Sequence, residues 1–493
     1  MNLKLKTKWQ LISSFIKRNG IIVSITFLSG LCYNILTLLI PISLGRFYEF
    51  DFGYSSHRLK LLKDLPFINT KNFISFLLFF ISLLFIRFVF EYINKYYISI
   101  IGEKFARTLR EQLFEHQLQI CTSVYDKKGI GKYLLRYSGD LKSIQNYVTS
   151  GLFRFSQDLF LILFLLITIA FIDNYLGAII GISISIFIVL LFFINNILYS
   201  ISVDRRNQRS AMLTFVNTRL RAMLSIKAFN KHTPEQKRYN RRSEQLYAVG
   251  KKYQRTVSLI QSIIPMLTYL MLAFLMWYVY FLKTHKDYYF NESAFLIVIL
   301  LIISFLPILR RTLSVSIVWK LGSISFEKLL NIFSLKSENN LVFKDLNLAA
   351  QEINFNSVCF NYPNSENRVF NNLNFSISPK KTTLIIGDSG SGKNTLIKLL
   401  LKLYQPTSGK INYGKYNYNE LSEKTIRKNI TVVSNSFPLF GKTVYEAISY
   451  SRNEDRKDKA SKILEKLQKF EDINNRLKLD DALGDLGSSL SSG

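Results

Sequence analysis

Six long apolar stretches constrain this chain more than any other feature of it. They cover residues 21–44, 73–90, 152–172, 176–199, 260–282 and 294–309. A helix needs about 20 residues to cross the hydrocarbon core of a bilayer, and inside lipid a backbone must satisfy its own hydrogen bonds, so such runs become helices. The second and sixth fall short of that length, yet six such runs in one chain are too many to bury as the core of a soluble domain. The first begins only at Ile21 and outlasts the apolar region of a cleavable signal, so it is expected to stay as a span.

Charge sets the orientation. The formal net charge is +30 in a chain that is 48% hydrophobic, which fits a membrane protein with basic inner loops better than a soluble nucleic-acid binder, the weaker second reading. Lys4, Lys6, Lys8, Lys17 and Arg18 precede or open the first span, and Lys and Arg also crowd the two connections after spans two and four. These belong inside, and the connections at 53–72, 173–175 and 283–292 belong outside. Both inner connections read as helix, so the spans are expected to continue beyond the bilayer. Their basicity is accounted for by topology and lipid headgroups and does not by itself indicate an acidic cargo. Arg87 lies within the second span, four residues before Glu91, and is expected to snorkel to the inner interface. Cys32, Cys121 and Cys359, like the four histidines, are scattered, and they form neither a disulfide framework nor a metal spacing.

After Arg311 the composition changes. Residues 336–348 are polar, and from Gln351 short strand-like runs alternate with Asn, Pro and Gly turns: EINFNSVCF, VFNNLNFSI, TTLII, KINYG and ITVVS. The expected division is a helical membrane domain of six spans over 1–335, a linker over 336–350 and an α/β domain over 351–493. In the last of these, TTLII is followed directly by Gly387, Asp388, Ser389, Gly390, Ser391, Gly392, Lys393, Asn394 and Thr395, and then by the helical run LIKLLLKL. Strand, glycine loop and helix in that order aim backbone N–H groups and a helix N-terminus at a phosphate chain, with Lys393 reaching the outer phosphates. An ordinary glycine turn does not explain three glycines and a lysine at those offsets. Asn394 departs from the pattern, because a Ser or Thr there would put a hydroxyl on Mg2+.

Together these features resemble an ATP-binding cassette exporter of the half-transporter kind. GKYLLRYSGDLKSI (131–144) and SIKAFN (225–230) are similar to the family's two inner-loop segments. VCFNYP (358–363) is similar to its aromatic loop, QPTSGKINYG (405–414) to the turn after the phosphate-loop helix, ITVVSNSFPLF (430–440) to the glutamine-loop segment, and LSSG (490–493) to the start of the signature. The resemblance implies an α-helical six-span domain followed by an α/β phosphate-loop domain in a multi-pass protein of a bacterial inner or plasma membrane, with the N-terminus and ATP domain cytoplasmic. It implies ATP and Mg2+ as cofactors, Tyr362 against adenine, and Leu490, Ser491, Ser492 and Gly493 as signature. A second half-transporter chain, identical or different, and a hydrophobic, lipid-like or peptide substrate would be the partners.

Several positions depart from the family pattern. Asn435 stands where the glutamine is expected, one methylene shorter. Asn394 and Asn435 would offer amide oxygens to Mg2+, which demands near-octahedral geometry. Ser492 replaces a glycine that approaches phosphate closely. The sequence given stops within the signature, before the family's magnesium-orienting Asp, catalytic Glu and switch His. The expectation is therefore that its own loop site binds ATP without hydrolysing it, and that an apolar sheet edge beside the phosphate-loop strand stays unpaired. Three readings remain open: an exporter subunit from a split or shortened sequence, a non-catalytic ATP-binding subunit paired with an active partner, and a non-functional remnant.

Overall fold

The computed structural model describes residues 7–52, 73–128, 133, 136–172, 174–285, 292–335, 337–338, 347–348, 350–363, 365–434, 437–451, 453–470, 477–484 and 487. The chain divides into two compact units, Met1–Glu338 and Asn339–Gly493.

The first unit is helical. Its α1 (Lys8–Arg18) starts with a capping box, in which the Thr7 hydroxyl accepts from the Gln10 N–H while the Gln10 side chain accepts from the Thr7 N–H. Leu11, Ile12 and Phe15 form its buried face, and Phe15 meets Phe105 edge-on with ring centroids 4.9 Å apart. Then follow α2 (Gly20–Phe52), α3 (Phe73–Gln119) and the short α4 (Thr122–Lys128). Two π-helical turns, Arg136–Asp140 and Tyr147–Arg154, flank α5 (Leu141–Asn146) and lead into α6 (Phe155–Ile172). The unit is completed by α7 (Asn174–Arg221), α8 (Met223–Ala228), α9 (His232–His285) and α10 (Glu292–Phe333).

Every expected span lies within one of these helices or, for 152–172, in the second π turn and α6. Among the described residues, Gly20–Gly45, Phe73–Gln119, Leu141–Phe171 and His232–Tyr278 are long and apolar enough to cross a membrane. The 47, 48 and 54 residues of α3, α7 and α9 correspond to about 70–80 Å of helix at 1.5 Å per residue. That is more than twice a hydrocarbon core of about 30 Å, so these helices continue well outside it. The upper part of α3 shows why it needs lipid, because Phe73, Ile74, Leu78, Ile81, Phe85 and Phe88 are all exposed.

Close helix contacts explain some of the residue choices. A Cβ on Gly151 would come within 2.8 Å of the Trp319 ring. That approach lets the Trp319 indole N–H donate to the Gly151 carbonyl at 2.7 Å, inside a π turn where the regular ladder is displaced. Gln157 bridges three helices by donating to the Thr26 carbonyl and pairing with the Asn94 amide, while Asn34 donates to its backbone carbonyl.

In the second unit β1 (Ile353–Asn361), β2 (Arg368–Ile377), β3 (Ser408–Tyr413) and β4 (Tyr416–Asn417) form an antiparallel sheet in the order β2-β1-β3-β4. Phe355 pairs with Phe375 on one side and Ile411 on the other, and the two phenyl rings stack at 4.5 Å. Helix α11 (Lys393–Leu400) packs Leu396 and Leu399 into the core formed with Val358, Phe360 and Tyr413. Also present are α12 (Glu423–Lys428), α13 (Val444–Ser449) and α14 (Lys457–Phe470).

Two of the five expected strands do not form. TTLII and ITVVS have no ladder partner among the described residues, and Leu384, Ile386 and Val433 are 80%, 84% and 96% exposed. Continuous apolar runs of this type suit strands of a parallel sheet covered on both faces. The antiparallel sheet here, built largely from sequence-local pairings, supplies them with neither neighbours nor cover.

Candidate nucleotide-binding site

The loop from Gly387 to Gly392 leads directly into α11. Gly390 and Gly392 take φ values of +90° and +98°, a left-handed backbone that other residues adopt only with strain. At Gly392 space is limiting too, since a Cβ would lie 2.8 Å from Val369 and 2.9 Å from Phe370. Gly392 is also the N-cap of α11 and offers no side chain to its first N–H groups. Those donors stay available to a ligand, at the positive end of the helix dipole.

Lys393 folds its ammonium back over the loop, donating to the Gly387 carbonyl at 2.5 Å and to the Asp388 carbonyl at 2.8 Å. Its charge therefore lies at the mouth of the loop, neutralised by no carboxylate among the described residues. Ser391 N–H closes the turn onto the Asp388 carbonyl. Thr395 is buried, and its hydroxyl lies 2.9 Å from the hydroxyl of Tyr362, which follows β1. Lys398 approaches the same ring to 5.3 Å, and Phe360 and Tyr404 meet it edge-on. The fold thus brings Tyr362 to the run Gly387, Asp388, Ser389, Gly390, Ser391, Gly392, Lys393, Asn394 and Thr395. Asn435, Leu490, Ser491, Ser492 and Gly493 lie outside the described residues.

The C-terminal end of α11 is clamped. Tyr418 donates to the carbonyls of Leu399 and Tyr404, Tyr413 donates to that of Leu400, and Arg427 donates to those of Leu401 and Lys402. These side chains take up the orphan carbonyls a helix end leaves. Burial pushes both phenols well above the ordinary tyrosine range, so they stay protonated donors. Anchored this way, α11 holds the loop at its other end.

A triphosphate fits this site, because the loop supplies a glycine-lined cradle, free helix N–H groups and a lysine. For Mg2+ the fit is poorer: no group of three or more His, Cys, Asp or Glu side chains able to hold a metal occurs among the described residues. At the position after the lysine, Asn394 can offer only an amide oxygen.

Some polar groups were not apparent from sequence. Asp158 in α6 is buried and accepts from Arg311 of α10 at 2.6 and 3.2 Å. Arg87, singled out in the sequence together with Glu91, lies 3.6 Å from it and also donates to Thr37 and Tyr33 of α2, contacts the sequence did not show. Ionisable residues inside apolar runs were the available signal, but partners 50 or more positions away cannot be read from local pattern.

Long apolar helices joined to a phosphate-cradling loop on a helix N-terminus define a membrane protein that works with a nucleotide. The family model for the ABC transporter transmembrane region matches residues 23–306, and that for the ABC transporter domain matches 370–493. The chain belongs to the ABC transporters, as a half-transporter of the exporter kind. Among its relatives are the proteins described as ATP-dependent lipid A-core flippase in Salmonella typhimurium, Escherichia coli (strain UTI89) and Shigella flexneri. Each is 24% identical over 415 residues, covering 84% of this chain and 71% of the relative.

Proposed function

We propose that this chain is one subunit of an ATP-driven exporter that moves a lipid-like substrate across a bacterial inner membrane. The observation that carries the reading is the loop itself: Gly390 and Gly392 at positive φ, the open N-terminus of α11 and the Lys393 ammonium over the mouth. The division of labour is a membrane part over 1–335, a linker over 336–350 and an ATP-binding part over 351–493. In this reading the loop binds the phosphates, Tyr362 stacks on adenine, and Asn394 with Asn435 reaches toward Mg2+. Leu490, Ser491, Ser492 and Gly493 face the nucleotide held by a second half-transporter. Closure of that pair around ATP is what shifts the helices between inward- and outward-open forms, through a higher affinity for the closed state.

The names of the relatives support a lipid-like cargo over a peptide, and the apolar helices suit either. A second reading is favoured by Asn394: the subunit binds ATP structurally, and a different partner supplies the hydrolysing site. Transport is tested in inverted vesicles from cells expressing the chain with its native partner, using a fluorescent lipid. ATP-dependent movement between leaflets, lost in Lys393→Ala, is expected; movement indifferent to both ATP and Lys393 would overturn the proposal.

A further inference from the structure

The extensions of the helices outside the apolar stretches line an open pocket of about 990 Å3 within the first unit. Arg136 and Lys142 line it near α5, Arg206, Arg209 and Arg219 from α7, Arg242 from α9 and Lys328 from α10. Asp140 is the one carboxylate among the described lining residues, and it is already engaged by Arg136, Arg206 and the Ser325 hydroxyl. Arg219 is paired with Glu235, which lies outside the lining, at 2.7 Å. Seven cations against these two committed carboxylates still leave an excess of positive charge in a concave space. Water and salt screen an open basic loop, but they screen a concave site less.

Three details show that the charge is held in position. Arg206 contacts both Asp140 and Ser325 through Nη2, which leaves its Nη1 buried with no hydrogen-bond partner among the described residues. Phe215 carries the Arg219 and Arg242 guanidiniums at 4.2 and 4.8 Å from its ring, and Arg219 also donates to Glu235 at 2.7 Å. Burial pushes the Lys328 ammonium below its ordinary range; Asp140 opposes this, and Arg206 and Arg136 add to it. A ligand that brought negative charge would give Arg206 Nη1 a partner and relieve the Lys328 ammonium.

We propose that this cavity binds a phosphate-bearing anion, either the phosphorylated headgroup of a lipid or a soluble polyphosphate. Planar guanidiniums match phosphate oxygens two at a time, and five of the seven cations are arginines. Arg206 lies seven residues past Tyr199, where the fourth apolar stretch ends, which is about 10 Å along a helix. The upper rim is therefore at headgroup depth, and Arg219 lies about 20 Å farther along α7. The site is independent of nucleotide binding and of whether the chain transports anything.

The test uses the full chain in phosphatidylcholine nanodiscs, in a Lys393→Ala background so that binding at the phosphate loop does not count. Inorganic tripolyphosphate is titrated in one arm, and phosphatidic acid is doped into the nanodisc in the other, each read by native mass spectrometry. Arg209 and Lys328 have no ion-pair partner among the described residues, so Arg209→Gln with Lys328→Gln removes charge without stranding a buried acid. At least one probe should bind and weaken about tenfold or more in that double variant, while Arg209→Lys with Lys328→Arg keeps it. Tripolyphosphate alone identifies a soluble ligand, and phosphatidic acid alone identifies a headgroup. If neither probe binds, or if binding is unchanged in a double variant with an unaltered unfolding temperature, the proposal is overturned.

Discussion

Lys393 and Asn394 are consecutive residues, and they carry opposite messages. The lysine does what a phosphate loop requires, its ammonium held over the Gly387 and Asp388 carbonyls where a phosphate would compete for it. The asparagine replaces the hydroxyl that would meet the metal. The consequence is measurable without hydrolysis: in wild type, Mg2+ should tighten ATP binding only slightly, and Asn394→Ser should make that tightening about tenfold greater. Fluorescent ATP titrated with and without Mg2+ reads the difference, and an equal Mg2+ effect in the two proteins would count against the role given to Asn394. Spacing alone made this loop visible, since backbone N–H groups and one lysine need no distant partner. The contact between Tyr362 and Thr395 across 33 positions could not be read the same way, because the family resemblance implied a role for Tyr362 but no neighbour.

At the scale of elements, α11 does the positioning, and its anchoring is as important as its loop. Tyr418 serves two carbonyls from a fully buried hydroxyl. Tyr418→Phe keeps the ring and leaves those carbonyls short of a donor, at a cost of about 1–3 kcal/mol. Thermal unfolding of the ATP-binding unit should register the loss, and an unchanged transition would mean water replaces the hydroxyl. The helices of the first unit were legible because hydropathy is a local property and lipid leaves the backbone little choice. Their π turns were not, and within Tyr147–Arg154 the Gly151 carbonyl takes a donor from Trp319, far away in sequence. Strands TTLII and ITVVS were read from apolar runs, but a strand exists only with a neighbour, and exposed Leu384 and Val433 show none among the described residues.

For the molecule as a whole, membrane crossing follows from family and helix length, while its direction rests on the distribution of Lys and Arg. Cys121, just past α3, and Cys359 in β1 are both partly exposed and would lie on the inner side. A membrane-impermeant maleimide should therefore label them in inverted vesicles and spare them in intact cells. Labelling of Cys359 from outside would reverse the orientation. The cationic cavity belongs to this scale too: the sequence showed basic segments, and only folding revealed that four separate parts of the chain aim that charge into one space.

The central claim is that the loop from Gly387 to Thr395 binds ATP, and equilibrium titration of the full chain in nanodiscs with a fluorescent ATP analogue tests it most directly. Saturable binding that weakens about a hundredfold or more in Lys393→Ala is the expected result, as loss of a charge-assisted contact to phosphate implies. Binding of equal strength in the two proteins, or none in the wild type, would contradict it.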